Sequence, residues 1–400
     1  MIIALDATPL TVPTGGVTRY TSELARALAA RFPENEYWLL SDRPFPMPHS
    51  RPANSGPSAL PHPDLDLANL KKGDPPRTFL GRRWWSVGLL REMMRLRADV
   101  FHGTDFSTPY VPLRPSVMTV HDLSPWLNET RETHEPQVPH ELNGPDAKSR
   151  NHLDRPWQPH SARVRRRTAM LLRLRVPTMV ITPTEAIRRA VVARFRLPGT
   201  QVVAVPLAAS EHFRPIACLP RAIPFFLFVG TLEPRKNISG LIDAWREVRQ
   251  THNIDLVIAG RTRADFPPLA AEPGLRLLGP VPDEDLPELY SSARAVVYPS
   301  LYEGFGLPVL EAMQCGAIVV TSRDPAIMEV AGDAAIFTAV LNDESGAREL
   351  AAALASIAEA PHNFAPIRER ALRRAKQFSW RRTAELTQEV YAEACRVFHY

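Results

Sequence analysis

Residues 295–313 read AVVYPSLYEGFGLPVLEAM, and this stretch decides the fold. AVVYPS is a short apolar run closed by Pro and Ser, which predicts a buried strand. Gly304 and Gly306 follow, and then Pro308, which suits the first position of a helix because its missing N–H would have no partner there anyway. PVLEAMQCG then predicts a helix. Such a loop lies at the carboxyl end of a strand, where open parallel sheets place their ligands. The glycines let backbone come close to a ligand. Free N–H groups at the helix start suit a phosphate. Glu303 on the loop and Glu311, expected in the first helical turn, can reach one ligand from opposite sides of that phosphate position. The alternative is a surface carboxylate at 303 and a Glu311 that only favours the helix dipole.

Outward from this stretch the same rhythm continues. Upstream lie FFLFVG, ISGLIDAWREVRQ, DLVIAG and DEDLPELYSSA, read as strand, helix, strand and helix. Downstream come AIVVTS and AAIFT as strands and ESGARELAAALASIAEA as a long helix. The first half alternates likewise. MIIALDA, EYWLLS, DVFHG, SVMTVHD, MVITPT and QVVAVP read as strands, with a helix at VTRYTSELARALAARF and a basic amphipathic helix at 82–97 containing Trp84 and Trp85. Strands alternating with helices imply parallel sheets covered on both faces. The two runs meet in the proline-rich stretch Pro206–Pro224. The expected layout is α/β: two Rossmann-like domains facing across a cleft, at 1–210 and 211–378, with a terminal segment at 379–400. Residues 43–76 are proline-crowded without apolar period and predict a long surface loop. Residues from about 128 to 160 are a second polar insertion.

Composition sets the outer bounds. The chain has 400 residues, 44% hydrophobic and 23% charged, which excludes a disordered, collagen-like or disulfide-stapled protein. No apolar run reaches the length of a membrane-spanning helix. The opening MIIALDATP reads as a buried strand and not a signal peptide. Net charge is +5, carried almost wholly by Arg. Basic stretches at Arg163–Arg175 and Arg368–Arg382 carry apolar residues at helical spacing. They are read as solvated helix faces, with an anionic membrane surface as the alternative partner and no nucleic acid. Cys218, Cys315 and Cys395 are scattered, odd in number and without metal-type spacing, so reduced thiols in a cytoplasmic setting are expected.

A second chemical signal lies in FVGTLEPRKN, residues 228–237. Gly230 marks a turn after a strand, and Arg235 and Lys236 would sit at the carboxyl end of that strand. Adjacent cations there stabilise a diphosphate leaving group, and a solvated basic turn is the alternative. His121-Asp122, at the end of TVHD, is a third candidate, weighed against a structural histidine. His102, in FHGTD, is a similar but weaker one. Thr184-Glu185 reads as a helix cap.

Taken in order, these segments resemble a known family. Glu303-Gly-Phe-Gly-Leu-Pro followed by Glu311 resembles the E-x7-E motif of the retaining glycosyltransferases of family 4, which have the GT-B architecture. The stretch from Gly230 to Arg235-Lys236-Asn237 is similar to that family's diphosphate-binding turn. Thr14-Gly15-Gly16-Val17-Thr18-Arg19-Tyr20 resembles its N-terminal glycine loop, and Thr119-Val120-His121-Asp122 its His-Asp segment. Phe378-Ser379-Trp380 and the helix beyond resemble its C-terminal element, which crosses back to the first domain. The resemblance covers nearly the whole chain. It departs from the family in the length of 43–76 and of the insertion at about 128–160, both in the half that selects the acceptor.

The resemblance implies a role for each matched residue. Glu303 would bond the sugar hydroxyls, with backbone N–H groups of Phe305, Gly306 and Leu307 holding sugar and phosphate. Glu311 would take the ribose hydroxyls, and Arg235 and Lys236 the diphosphate. Gly15 and Gly16 would let the first domain close over the phosphates and acceptor. His121 would contact the donor sugar, and Asp122 would position it or the acceptor. Arg261 and the backbone near Val281 would lie near the nucleotide. The implied reaction is hexose transfer from a nucleoside diphosphate sugar, GDP-mannose or a UDP-hexose with mannose favoured, to a saccharide or lipid-linked hydroxyl. No metal or other cofactor is expected, and the expected place is the cytoplasm or the inner membrane face. The rivals are another enzyme on this plan, an epimerase or phosphorylase, and a non-catalytic nucleotide-sugar binder.

Overall fold

A computed structural model describes residues 1–11, 15–45, 65–76, 83–126, 162–217, 221–264, 266–339 and 344–398. The insertion expected at about 128–160, most of the proline-rich loop and Cys218 lie outside the described residues.

Two parallel sheets form the frame. In the first, β1 (Ile2–Asp6), β2 (Glu36–Leu40), β3 (Leu70–Lys72), β4 (Val100–Gly103), β5 (Ser116–Thr119), β6 (Met179–Thr182) and β7 (Val202–Ala204) lie in the order β3-β2-β1-β4-β5-β6-β7. In the second, β8 (Phe225–Val229), β9 (Asp255–Ala259), β10 (Leu275–Gly279), β11 (Ala295–Tyr298), β12 (Val319–Ser322) and β13 (Ile336–Thr338) lie in the order β10-β9-β8-β11-β12-β13. Each order reverses once, between β1 and β4 and between β8 and β11. Those two switch points are where a crevice opens beyond the strand ends.

The central strands are buried on both faces, as continuous apolar runs such as FFLFV require. On one face of the first sheet, Ile3, Leu5, Val100 and Val117 pack with Tyr20, Leu24 and Leu28 of helix Gly16–Arg31. Helix Trp380–Val397 covers the same face. The OH of Tyr391 lies 2.7 Å from Nδ1 of the buried His102 in β4, and Arg31 pairs with Glu385 at 2.9 Å. His102 therefore has a packing role. Burial drives its imidazole down to about 3, so it stays neutral. On the opposite face, Ala4 and Phe101 pack against Trp84, Leu89 and Met93, while Met118 and Val180 pack against Leu172 and Ile187.

Two local expectations need correction, and one strand lies outside the expected set. Residues 70–72, inside the stretch read as loop, form β3 and pair in parallel with β2; only Leu70 of the three is buried, so the strand lacks an apolar signature. β10 escaped the pattern for the same reason, being an edge strand with Leu277 and Leu278 exposed. The basic helix at 82–97 is a π-helical turn, Trp84–Gly88, leading into helix Leu89–Leu96. Trp84 faces the sheet and is buried, so it belongs to the core and not to a membrane-facing surface. No described helix is long and apolar enough to cross a membrane.

Candidate functional site between the two switch points

A cleft of about 400 Å³ lies between the two sets of strand ends. Every residue singled out for the donor lines it: Gly15, Gly16, His121 and Asp122 from the first domain, and Gly230, Arg235, Lys236, Arg261, Val281, Glu303, Phe305, Gly306, Leu307 and Glu311 from the second.

The second domain's half is a network of paired charges. After β8 the chain turns through Pro234–Lys236, and Asn237 in the left-handed region (φ 54°) starts helix Ile238–Arg249. That turn aims Lys236 inward, where its Nζ donates to Tyr298 Oη at 2.5 Å and to the carboxylate of Glu303. Arg235 pairs with the same carboxylate at 3.1 Å and with Glu233 at 2.8 Å, and donates to the Tyr302 carbonyl at 2.8 Å. Ser300 Oγ donates to Glu303 at 2.5 Å. Burial alone would raise the Glu303 pKa, but Lys236 and then Arg235 outweigh it and hold the carboxyl at about 2. Burial pulls Lys236 below the ordinary lysine value, with Glu303 opposing. One buried carboxylate thus keeps two cations together at the strand end.

Eight residues on, Glu311 has a different set of partners. Helix Leu307–Gln314 starts only after Gly306, whose φ of 86° favours glycine, so Glu311 falls in the second turn and not the first. Its carboxylate is buried, accepts from Tyr290 Oη at 2.9 Å and is ion-paired with Arg19. The same guanidinium spans both oxygens of Asp283 at 2.5 Å. Burial raises the Glu311 pKa, and Arg19 counters it without reversing it. Arg19 and Asp283 were given no role from sequence. Arg19 belongs to helix Gly16–Arg31 of the first domain and Asp283 follows β10 in the second.

On the first domain's side, Nε2 of His121 lies 2.8 Å from the Thr104 carbonyl. A carbonyl only accepts, so Nε2 carries the proton and Nδ1 is left as an acceptor. Burial lowers the imidazole pKa and favours the neutral ring. Tyr20 holds that ring edge-on at 4.8 Å between centroids. Asp122 accepts from the backbone and hydroxyl of Ser124 at 2.9 and 2.7 Å. The domains meet here directly. A Cβ at Gly304 would lie 2.0 Å from the His121 carbonyl oxygen, so only glycine permits this approach. Beside it, Thr184 Oγ1 donates to the Gly304 carbonyl at 3.1 Å and caps helix Glu185–Phe195, as expected of Thr184. The first-turn amides of Glu185 and Ala186 donate across the interface to Glu329 at 2.7 and 3.0 Å.

Comparison with known proteins gives a concordant result. Residues 14–212 match the model described as Glycosyltransferase Family 4, and residues 213–378 the model described as Glycosyl transferases group 1. The chain is 29% identical over 415 residues to the O-antigen chain mannosyltransferase B of Escherichia coli, covering 98% of this chain and 99% of that one. It is 33% identical over 168 residues to the MMP alpha-(1->4)-mannosyltransferase of Mycolicibacterium hassiacum, covering 40% and 41% of the two chains. Among solved structures, the sucrose-phosphate synthase of Thermosynechococcus elongatus superposes with a TM-score of 0.67 at 18% identity, covering 99% of this chain and 100% of that one. Anabaena HepE, solved with UDP and glucose, gives 0.64 at 16% identity, covering 98% and 99%. With two parallel-sheet domains, a cleft at both switch points and a family match to each domain, the chain belongs to the family 4-like glycosyltransferases of GT-B fold.

Proposed function

We propose that the chain moves a hexose, with mannose favoured, from a nucleoside diphosphate sugar to a hydroxyl of a saccharide or lipid-linked acceptor, with retention at the anomeric carbon. The observation that carries this reading is the bracketing of one helix start by two buried carboxylates, Glu303 and Glu311, with Arg235 and Lys236 beside the first. A nucleotide sugar has the same sequence of groups: sugar hydroxyls, diphosphate, ribose hydroxyls. Glu303 takes the sugar, Arg235, Lys236 and the amides of Phe305, Gly306 and Leu307 take the diphosphate, and Glu311 takes the ribose, with Arg261 and Val281 flanking the base. Mannose is favoured because one relative aligned over 98% of the chain and another aligned over 40% of it are named as mannosyltransferases. A UDP-hexose is the alternative donor, since a neighbouring fold was solved with UDP and glucose.

In the reaction, the bond from the anomeric carbon to the diphosphate oxygen breaks and positive charge develops on the sugar. The cations and helix amides stabilise the departing anion, an effect realised most strongly in the transition state. The acceptor oxygen attacks from the same face, and its proton passes to the leaving phosphate oxygen. Gly15 and Gly16 let the first domain lie close over the phosphates. His121 Nδ1 accepts from a donor hydroxyl, and Asp122 positions the acceptor.

A lipid-linked acceptor at an anionic membrane is supported by one surface of the first domain. Helix Leu89–Leu96 and the turn before it expose Arg83, Val87, Arg91 and Met94; helix Ala162–Arg173 and the turn after it expose Arg166, Met170, Arg173 and Leu174. Arg167, lying over the rings of Trp85 and Tyr110 at 5.7 and 5.6 Å, joins them into one face. Alternating cationic and apolar side chains suit a headgroup boundary.

One experiment tests the reading. The purified protein is incubated with labelled GDP-mannose or UDP-glucose and a crude lipid-linked acceptor fraction in anionic or zwitterionic liposomes. Retention of the α-anomeric configuration in an NMR-characterised product, with the protein floating on anionic vesicles at low salt, is the expected outcome. Inverted product removes the mechanism. Absence of flotation at any salt removes the membrane contact.

A further inference from the structure

Glu311 is the carboxylate assigned above to ribose, yet in this structure Arg19 is bound to it. Arg19 comes from the opposite domain, on the helix that follows the glycine loop. Its guanidinium uses one nitrogen on Glu311 and another on both oxygens of Asp283, and its Cζ lies 5.7 Å from the Phe213 ring centroid. The three charged groups are well shielded: the Arg19 and Asp283 side chains are 20% and 24% exposed and Glu311 is 1% exposed. Ion pairs in such surroundings are screened far less than surface ones. All three line the same cleft.

We propose that Arg19 is a positioning residue that ties the two domains together at the nucleoside end of the cleft, and that donor binding is coupled to this tie because ribose hydroxyls and Arg19 compete for Glu311. The proposal rests on the assignment of Glu311 to ribose. Tyr290 holds one oxygen of Glu311 and Arg19 the other, and the carboxylate is 1% exposed, so a ribose diol reaches it by displacing the guanidinium. Asp283 then keeps the guanidinium near the cleft, and its two-point grip lets Arg19 return when the nucleotide leaves. The affinity the protein shows is the intrinsic ribose contact less the cost of loosening Arg19.

This coupling has a signature that a residue merely touching the ligand, or merely supporting the fold, does not produce. In Arg19→Met, Glu311 loses its competitor and the domains lose a tie. Nucleoside diphosphate is expected to bind several-fold tighter by calorimetry while kcat falls about ten-fold, so that KM and kcat drop together. Arg19→Lys, which keeps the charge but not the fork, falls between the two. In a Glu311→Gln background the same Arg19→Met change should leave nucleotide affinity unaltered. Weaker nucleotide binding in Arg19→Met makes Arg19 a ligand contact and overturns the proposal, as does an equal effect in both backgrounds. If Glu311→Gln alone leaves nucleotide affinity unchanged, the ribose assignment fails first, and that outcome is separable from the other two. Should Arg19→Met prove too unstable to purify, Asp283→Asn, which loosens the grip on Arg19 without removing it, is expected to shift affinity and kcat in the same joint direction by a smaller factor, and a change in affinity alone counts against the coupling.

Discussion

The two halves of the cleft solve opposite problems. In the second domain, Glu303, Lys236, Arg235 and Ser300 satisfy one another within a single domain, so this end of the cleft is assembled by local folding. The first domain presents few charges. To the cleft it brings the neutral His121, the glycine pair, Asp122 and Arg19; outside that lining, Asp105 after β4 is a buried carboxyl that burial, Asp6 and Asp122 push up to about 8. One half pairs its charges within itself, and the other brings Arg19, whose partners Glu311 and Asp283 lie across the cleft. On the proposed function, charge on a leaving diphosphate moves towards the side of Arg235 and Lys236.

Breaking the charged half should have the largest effect. On the proposed function, Lys236→Ala removes a cation from the departing diphosphate; in the structure it leaves Glu303 short of a partner. A fall in kcat of about 10²–10³ is expected, measured at a temperature where the variant is still folded. Turnover within a few-fold of the parent would mean that this half does not stabilise the leaving group. Next comes the meeting of the halves. Gly304→Ala places a methyl group 2.0 Å from the His121 carbonyl and forces the domains apart there. A displacement of about 1 Å costs roughly 10²-fold in rate, whereas the Tyr290 contact of Glu311 within its own domain is untouched, so nucleotide affinity should be held, or raised where the shift also loosens Arg19 from Glu311. Loss of affinity matching the loss of rate would show that closure favours donor binding, against the competition at Glu311. The smallest effect sharpens the contrast in charge. Between about pH 4 and 8 the folded protein holds a proton on Asp105 that the unfolded chain has released, so stability falls as pH rises through that window and levels off above it. Glu303, held at about 2, works the other way: its contribution is present above the ordinary carboxylate range and is lost as pH falls towards 2. Asp105→Asn should raise the melting temperature relative to the parent by an increment that grows from pH 5 to pH 8. A constant increment would show that Asp105 is ionised throughout.

The readability of the two halves from sequence differed for the same physical reason. Glu303, Gly306 and Glu311, or Gly230, Arg235 and Lys236, each stand on one strand–loop–helix unit, so short-range spacing brings them to a strand end. Arg19 meets Asp283 across 264 residues, and nothing in either neighbourhood marks the pairing. Tyr298 lies within a strand and reads as core; its hydroxyl reaches Lys236 only because the Pro234–Lys236 turn folds back over the sheet. β3 and β10 were illegible because edge strands with exposed side chains lack the apolar run that marks a central strand. Starting the helix at Pro308 puts Glu311 at the end of the first turn and not the start of the second, because it does not allow for a left-handed Gly306 that fixes Leu307 as the first residue.

Helix Trp380–Val397 follows the second domain in the chain but packs on the first sheet. The backbone therefore passes between domains twice, once between β7 and β8 and once just before Trp380. Thr383 Oγ1 donates to the Pro206 carbonyl at 2.7 Å, so the two passages run side by side. Two adjacent straps act like the pin of a door: they allow the lobes to swing about one line while resisting sliding and twisting. Gly304 and His121 are thus held in register by chain connections outside the cleft as well as by their own contact.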